Sequence, residues 1–233
     1  MKIFCVLLAV FALAFVSGCI KVDQTFILNA DGSGTFDMSY SMSEQTIMQM
    51  ESMAKMQMDP EGEEEGDIAF DFDEKSMREG LKKFEKDGVV VKSVSTVTKD
   101  GWKTMKIKLA FESLKGLSKT EFFEKNSVTI KKNESGDYVF MQKARNEKSG
   151  PGGVEMEPAM AQQMAPMLAG MRIVQHIKVP GRIISSNATE TKESTASWIF
   201  DIDKDPAVFS KMMNLNMRIV FDGKGLDSSK IIF

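Results

Sequence analysis

The feature that most limits this chain is a succession of paired runs with a two-residue period, each pair separated by a few turn-forming residues. Val22 to Asn29 and Thr35 to Met42 alternate in polarity and flank Asp31-Gly32-Ser33-Gly34. Val89 to Thr98 and Trp102 to Phe111 flank Lys99-Asp100-Gly101, while Ser127 to Lys132 and Tyr138 to Lys143 flank Asn133 to Asp137. Successive side chains of a strand point to opposite faces, so each run offers one apolar face, and Gly, Asn or Asp between two runs supplies the backbone of a hairpin. Three such pairs predict a sheet built on antiparallel neighbours. Further strands are expected at Arg172 to Val179, Arg182 to Ser186, Thr195 to Asp201 and Met217 to Phe221.

Helical spacing interrupts these runs. It is expected over Ser43 to Met58, over Ser76 to Lys86, where Ser76 precedes Glu79 by three as in a capping box, and over Glu157 to about Met171. The fold class is therefore α+β: an antiparallel sheet made of hairpins, with inserted Met-rich helices. Asp59 to Glu74 holds nine acidic residues and no basic one. It repels itself and is read as a mobile loop, with an acidic cation-binding loop as the sharper alternative. No internal repeat is present, and residues 19–233 read as a single α+β domain, with a break between two lobes near Gly150 to Gly153 as the alternative.

Composition narrows the chemistry. The 30 Lys and Arg are interspersed with 33 Asp and Glu, leaving no basic stripe to displace counterions from phosphates, so nucleic acid is excluded as a partner. One His and two Cys leave little for acid–base work near neutral pH or for a thiolate metal site. There is no G-x-S-x-G elbow, P-loop or dinucleotide fingerprint, and Gly32-Ser33-Gly34 reads as turn chemistry. Asp201-x-Asp203-x-Asp205 opens like a calcium loop, but Pro206 stands where Gly is required and Met212 where a bidentate Glu is required. No enzymatic activity and no cofactor are expected.

Met1-Lys2 leads into an apolar run, Ile3 to Val16, and then into Ser17-Gly18-Cys19. A positive start, a short apolar core and small residues make an export signal, and the run falls short of the roughly 20 residues that cross a bilayer. Val16-Ser17-Gly18-Cys19 resembles the lipobox of bacterial lipoproteins. That resemblance implies removal of residues 1–18 and acylation of Cys19 with two or three fatty chains of the palmitate kind. One chain would bind only reversibly, at about 0.8 kcal/mol per buried methylene. It also implies that Ile20, standing where an Asp commonly retains a lipoprotein in the inner membrane, favours the outer membrane in a diderm host. Cys5 lies in the signal, so Cys19 is the one thiol of the mature chain and an internal disulfide is excluded. With the first strand starting by Val22, the tether is about three residues, roughly 10 Å extended, and the folded body must sit against the lipid.

Methionine is over-used, with 19 in the chain. One cluster covers positions 42, 48, 50, 53, 56 and 58. The other, Met156, Met160, Met164, Met167 and Met171, steps by four, four, three and four, which places five thioethers on one helical face. Pro158 suits a first turn; Pro166 would kink or end the helix. Three readings stay open: flexible packing against the sheet, an adaptable apolar face for a lipid or envelope protein, and a soft-metal site for copper(I) or silver(I). The sole His176 lies on an alternating strand and reads as structural or exposed.

From Ile177 to Phe200 the chain reads IKVPGRIISSNATETKESTASWIF: a bend at Pro180-Gly181 followed by a hairpin carrying Trp198. Together with Cys19, Asp31-Gly32-Ser33-Gly34 and Thr35 to Met42, this resembles the LppM-like group of bacterial lipoproteins. The resemblance implies an exported α+β domain that is not enzymatic, an association with envelope lipid or glycolipid, and architectural roles for Pro180, Gly181, Asn187 and Trp198. Some members continue into a C-terminal membrane helix; here Ile231-Ile232-Phe233 leaves the acyl anchor as the expected attachment. The function expected is a lipid-anchored, non-catalytic envelope lipoprotein that binds or assembles with a lipid or an envelope protein, with Met 156, 160, 164, 167 and 171 as the ligand surface. Soft-metal handling and a purely structural envelope role are the alternatives.

Overall fold

A computed structural model describes residues 20–57, 72–120, 123, 128–143, 169–205, 207–224, 226 and 228–231. Among these residues eleven strands form two sheets. The first hairpin, β1 (Ile20–Leu28) and β2 (Gly34–Ser43), pairs from Ile20 opposite Met42 to Leu28 opposite Gly34. Its turn uses Gly32 at φ 80°, a left-handed conformation that a side chain would oppose, and Asp31 Oδ1 accepts from Ser33 N at 3.0 Å. The second hairpin, β3 (Val89–Lys99) and β4 (Trp102–Phe111), is closed by Asp100 (φ 52°) and Gly101 (φ 74°), the sign pattern of a type I′ turn. The third is β5 (Val128–Lys132) with β6 (Tyr138–Gln142). All three match the alternation in the sequence.

β7 (Arg172–Lys178), β8 (Ile183–Ser186), β9 (Glu190–Lys192), β10 (Thr195–Asp201) and β11 (Met217–Phe221) complete the set. One sheet runs β3-β4-β2-β1-β7-β10-β9 and the other β5-β6-β11-β8. Two features depart from expectation. β7 joins β1 in parallel, with Lys21 opposite Arg172, so the rule of antiparallel neighbours fails at the centre of the larger sheet. And β8 makes no hairpin with β10: it crosses to the smaller sheet and pairs with β11, while the short β9 pairs with Thr195 to Ser197. The crossing lies at Pro180-Gly181, where a Cβ on Gly181 would stand 2.0 Å from the carbonyl oxygen of Asp222.

The inner faces of the two sheets meet in one core. Phe26 of β1 stacks on Phe111 of β4 with ring centroids 5.6 Å apart and lies 6.0 Å from Phe140 of β6. Trp198 and Ile177 from the larger sheet and Ile130, Phe140 and Ile219 from the smaller are all buried in this cluster. At roughly 1.5–3 kcal/mol for each large apolar side chain removed from water, this contact dominates the favourable side of folding.

Three helices lie among the described residues: α1 (Glu44–Gln57), α2 (Glu74–Lys82) and α3 (Val208–Asn214), with single helical turns at Leu114–Leu117 and Ser228–Ile231. α2 starts two residues before the expected Ser76. Its cap is Asp73, whose Oδ1 accepts from Ser76 N at 2.7 Å, so Ser76 supplies the donor and not the cap. It also ends early, giving way to a tight turn over Glu85–Asp87 that Gly88 closes at φ 79°. Of the expected mobile acidic loop, residues 59–71 lie outside the described residues, and its last three residues are held in the fold. Phe72 is buried, its ring 5.0 Å from Tyr40, Asp73 caps α2 and Glu74 opens it. Of the third expected helix, residues 157–168 lie outside the described residues; at its expected end Gly170 has φ 67° and Met171 leads directly into β7.

Candidate functional site

Sheet order decides which residues surround Ile20, the first described residue. Ile20, the residue after Cys19, opens β1, and β1 has a hydrogen-bonded neighbour on each side. At this end of the sheet β2 finishes at Ser43, β4 begins at Trp102, β7 begins at Arg172 and β10 finishes at Asp201. The tether expected from sequence, about three residues, is thus absent: pairing extends to Ile20 opposite Met42. Glu44 N donates to Gly101 O at 2.9 Å, fastening the start of α1 to the β3–β4 turn. Lys21 holds its ammonium 4.3 Å from the centroid of Trp102, in cation–π geometry. Val97, opposite Thr104 on β4, is 52% exposed, and Met48, one helical turn into α1, is 61% exposed. On the other side of β1, Asp201 is held by Arg172 at 3.8 Å and Lys204 at 3.6 Å.

A second arrangement runs across the outer face of the larger sheet. The register places Lys108, Asp37, Thr25, His176 and Ser197 side by side on β4, β2, β1, β7 and β10. His176 Nδ1 lies 2.8 Å from Ser197 Oγ, and Lys108 Nζ lies 3.1 Å from Asp37 Oδ2. Oδ1 of Asp37 is buried with no hydrogen-bond partner among the described residues. A nucleophile, a base and an orienting carboxylate would need His176 bonded to both of the others. Here Thr25 separates His176 from Asp37, a spacing of about 10 Å between the β7 and β2 backbones. What the contact does is satisfy the hydroxyl of the nearly buried Ser197.

A groove of about 460 Å³ lies between β10 and α3, with Trp198, Ile199, Phe200, Val208 and Leu215 contributing its apolar lining. β9 covers β10 only as far as Ser197, and beyond it Ile199 N donates to Thr189 Oγ1 at 3.1 Å instead of to a strand. On its rim Lys211 donates to Asp205 at 2.5 Å. That bond is the main reason the Asp205 carboxyl titrates below its ordinary value; partial desolvation opposes it and the Ala207 N–H supports it. Asp201, Asp203 and Asp205 have separate partners, with Asp203 accepting from Gly170 N at 2.8 Å. They do not converge as calcium ligands would. Among the described residues no group of three or more His, Cys, Asp or Glu is placed to hold a metal ion.

Cys19, Met156, Met160, Met164 and Met167 lie outside the described residues. Met171 is buried at 3% exposure, and its carbonyl accepts from Ile202 N at 3.1 Å. In the first methionine cluster Met42 is core and Met50 packs against it, while Met48 is exposed. The four positions with expected architectural roles lie at the junction of the two sheets. Trp198 is 1% exposed and donates from Nε1 to Asn187 O at 3.2 Å, while the Asn187 side chain accepts from Arg218 N and donates to Asn216 O. Sequence reasoning missed the Lys21–Trp102 pair, the groove and the cross-strand row. Only a register running over several strands brings those residues together, and no local pattern carries it.

No family model matches the chain, and no curated protein matches it. Among solved structures it is similar to the NMR structure of the folded domain of the LppM protein of Mycobacterium tuberculosis, at 11% identity and a TM-score of 0.41, over 91% of this chain and 96% of that one. At that identity and score this is a distant likeness of fold. Among the described residues no helix is long and apolar enough to cross a membrane.

Proposed function

We propose that this chain is a lipid-anchored, non-catalytic lipoprotein of the cell envelope, acting as a binding or assembly module for a lipid or an envelope protein. One observation carries the reading: the lipobox-like Val16-Ser17-Gly18-Cys19 ends one peptide bond before Ile20, the first residue of a central strand. Acyl chains on Cys19 would hold the body against the bilayer with no linker, since consecutive Cα atoms are about 3.8 Å apart. The shallow hollow beside the incompletely paired β10, lined by polar and apolar side chains alike, is consistent with a binding role. Support for the non-catalytic part is the engagement of the single His176 by Ser197, away from the carboxylate of its row.

Expression of the full chain in a bacterial host, followed by membrane fractionation and intact mass of the processed protein, tests this. The expected result is a mature N-terminus at Cys19 carrying acyl mass in the membrane fraction, and loss of both acyl mass and membrane retention in Cys19→Ser. A processed protein that is soluble with an unmodified Cys19 overturns the reading. Mass spectrometry of small molecules and peptides that co-purify with the native protein then identifies the class of ligand.

A further inference from the structure

We infer that the corner of the larger sheet formed by Trp102, Lys21, Val97 and Met48 is a bilayer-contact surface, seating the strands end-on in the headgroup region. The inference rests on the anchoring proposed above, and adds which residues touch the lipid and how the body stands on it.

The placement follows from topology. The chain enters the fold at Ile20, so whatever anchors Cys19 lies at the end of the sheet where β1 and β7 start and β2 and β10 finish. Trp102 opens β4, two strands from β1 in the order β4-β2-β1, hence about 10 Å to the side of the anchor. The interfacial layer on each side of a hydrocarbon core is about 5–7 Å deep, so the first residues of strands standing on it fall within that layer.

The chemistry fits the place. Tryptophan is favoured at membrane–water interfaces because its ring has an apolar body and a polar N–H, and lysine extends an apolar stem while keeping its ammonium among headgroups. Here the two come as a pair, Lys21 over Trp102 at 4.3 Å, and the Trp102 ring is left partly exposed. Val97 stands opposite Thr104, two residues along β4 from Trp102 and so on the same face, and the exposed Met48 comes one helical turn after Glu44, which is bonded to Gly101. Val97 and Met48 are two of the four large apolar residues that stand out as exposed among the described residues, and both lie toward this end. The charges at this end nearly cancel: Lys21, Lys99, Lys103, Arg172 and Lys204 stand among Glu44, Asp100, Asp201 and Asp203, with Arg172 and Lys204 both paired to Asp201. Contact therefore depends on the apolar side chains and not on a strongly anionic lipid.

Tryptophan quenching reads this directly. The acylated full chain is reconstituted into vesicles of phosphatidylethanolamine and phosphatidylglycerol, with and without brominated acyl chains. The protein has two tryptophans, and Trp198 is 1% exposed, so bromine in the bilayer reports Trp102. Expected is a loss of about half the Trp102 emission in brominated vesicles, with the Trp198 signal left in Trp102→Phe unchanged. The double variant Val97→Asp with Lys21→Glu, its far-UV circular dichroism unaltered, should cut the quenching several-fold. Equal emission with and without bromine, or the same fractional quenching in Trp102→Phe, overturns the inference. Intact mass separates the two failures: an acylated protein with no quenching sinks this surface alone, and an unacylated one sinks the anchoring beneath it as well.

Discussion

At the scale of single residues, the junction between the sheets shows how little room some positions leave. Pro180-Gly181, Asn187 and Trp198 were legible as a bend and a hairpin carrying a large buried ring, and the buried ring is there. The reason for the glycine was not legible, because its neighbour comes from much later in the chain. A Cβ at position 181 meets the carbonyl oxygen of Asp222 at 2.0 Å, and backbone cannot yield as a flexible side chain can. Gly181→Ala should therefore lower stability by about 1–3 kcal/mol, the usual cost of overpacking a filled site. Urea denaturation monitored by Trp198 fluorescence checks this, and an unchanged midpoint would show that β8 and β11 shift apart at little cost.

At the scale of elements, strands were read more faithfully than helices. A period of two with turn residues at both ends sets a strand locally, and the β3–β4 hairpin, with Asp-Gly at its turn, was read to within a residue at each end. α2 was misread at its start because two capping patterns overlap there. Asp73 ahead of Ser76 competes with Ser76 ahead of Glu79, and docking decides between them. With Asp73 as cap, Glu74 accepts from Thr96 N at 2.5 Å and Arg78 donates to Val94 O at 2.9 Å, so both side chains hold α2 on β3. Replacing Asp73 with Ala removes the acceptor of Ser76 N and should cost about 0.5–2 kcal/mol. Amide exchange should rise first in the opening turn of α2. Faster exchange confined to the end of α2 would refute Asp73 as its cap.

At the scale of the whole molecule, the parallel β1–β7 pair places the first described strand between hairpins that are far apart in sequence. β1 and β7 each have two strand neighbours, whereas the three-residue β9 is an edge. Native-state hydrogen exchange should accordingly find the slowest amides of the larger sheet in β1, β2 and β7, and the fastest in β9. Slow exchange in β9 with fast exchange in β7 would contradict this order. The central position of β1 also gives the proposed anchor its leverage: force on Cys19 acts on the middle of the sheet and not on a peripheral strand. By itself the sequence determined the hairpins, their turns, the α+β class and the lipobox-like Cys19, because each is encoded within a few neighbouring residues. Which strands lie side by side, the crossing of β8 to the other sheet, the Lys21–Trp102 corner and the His176–Ser197 contact were decided by tertiary structure. Register between distant strands is set by burying both inner faces at once, a condition that no local stretch of chain can express.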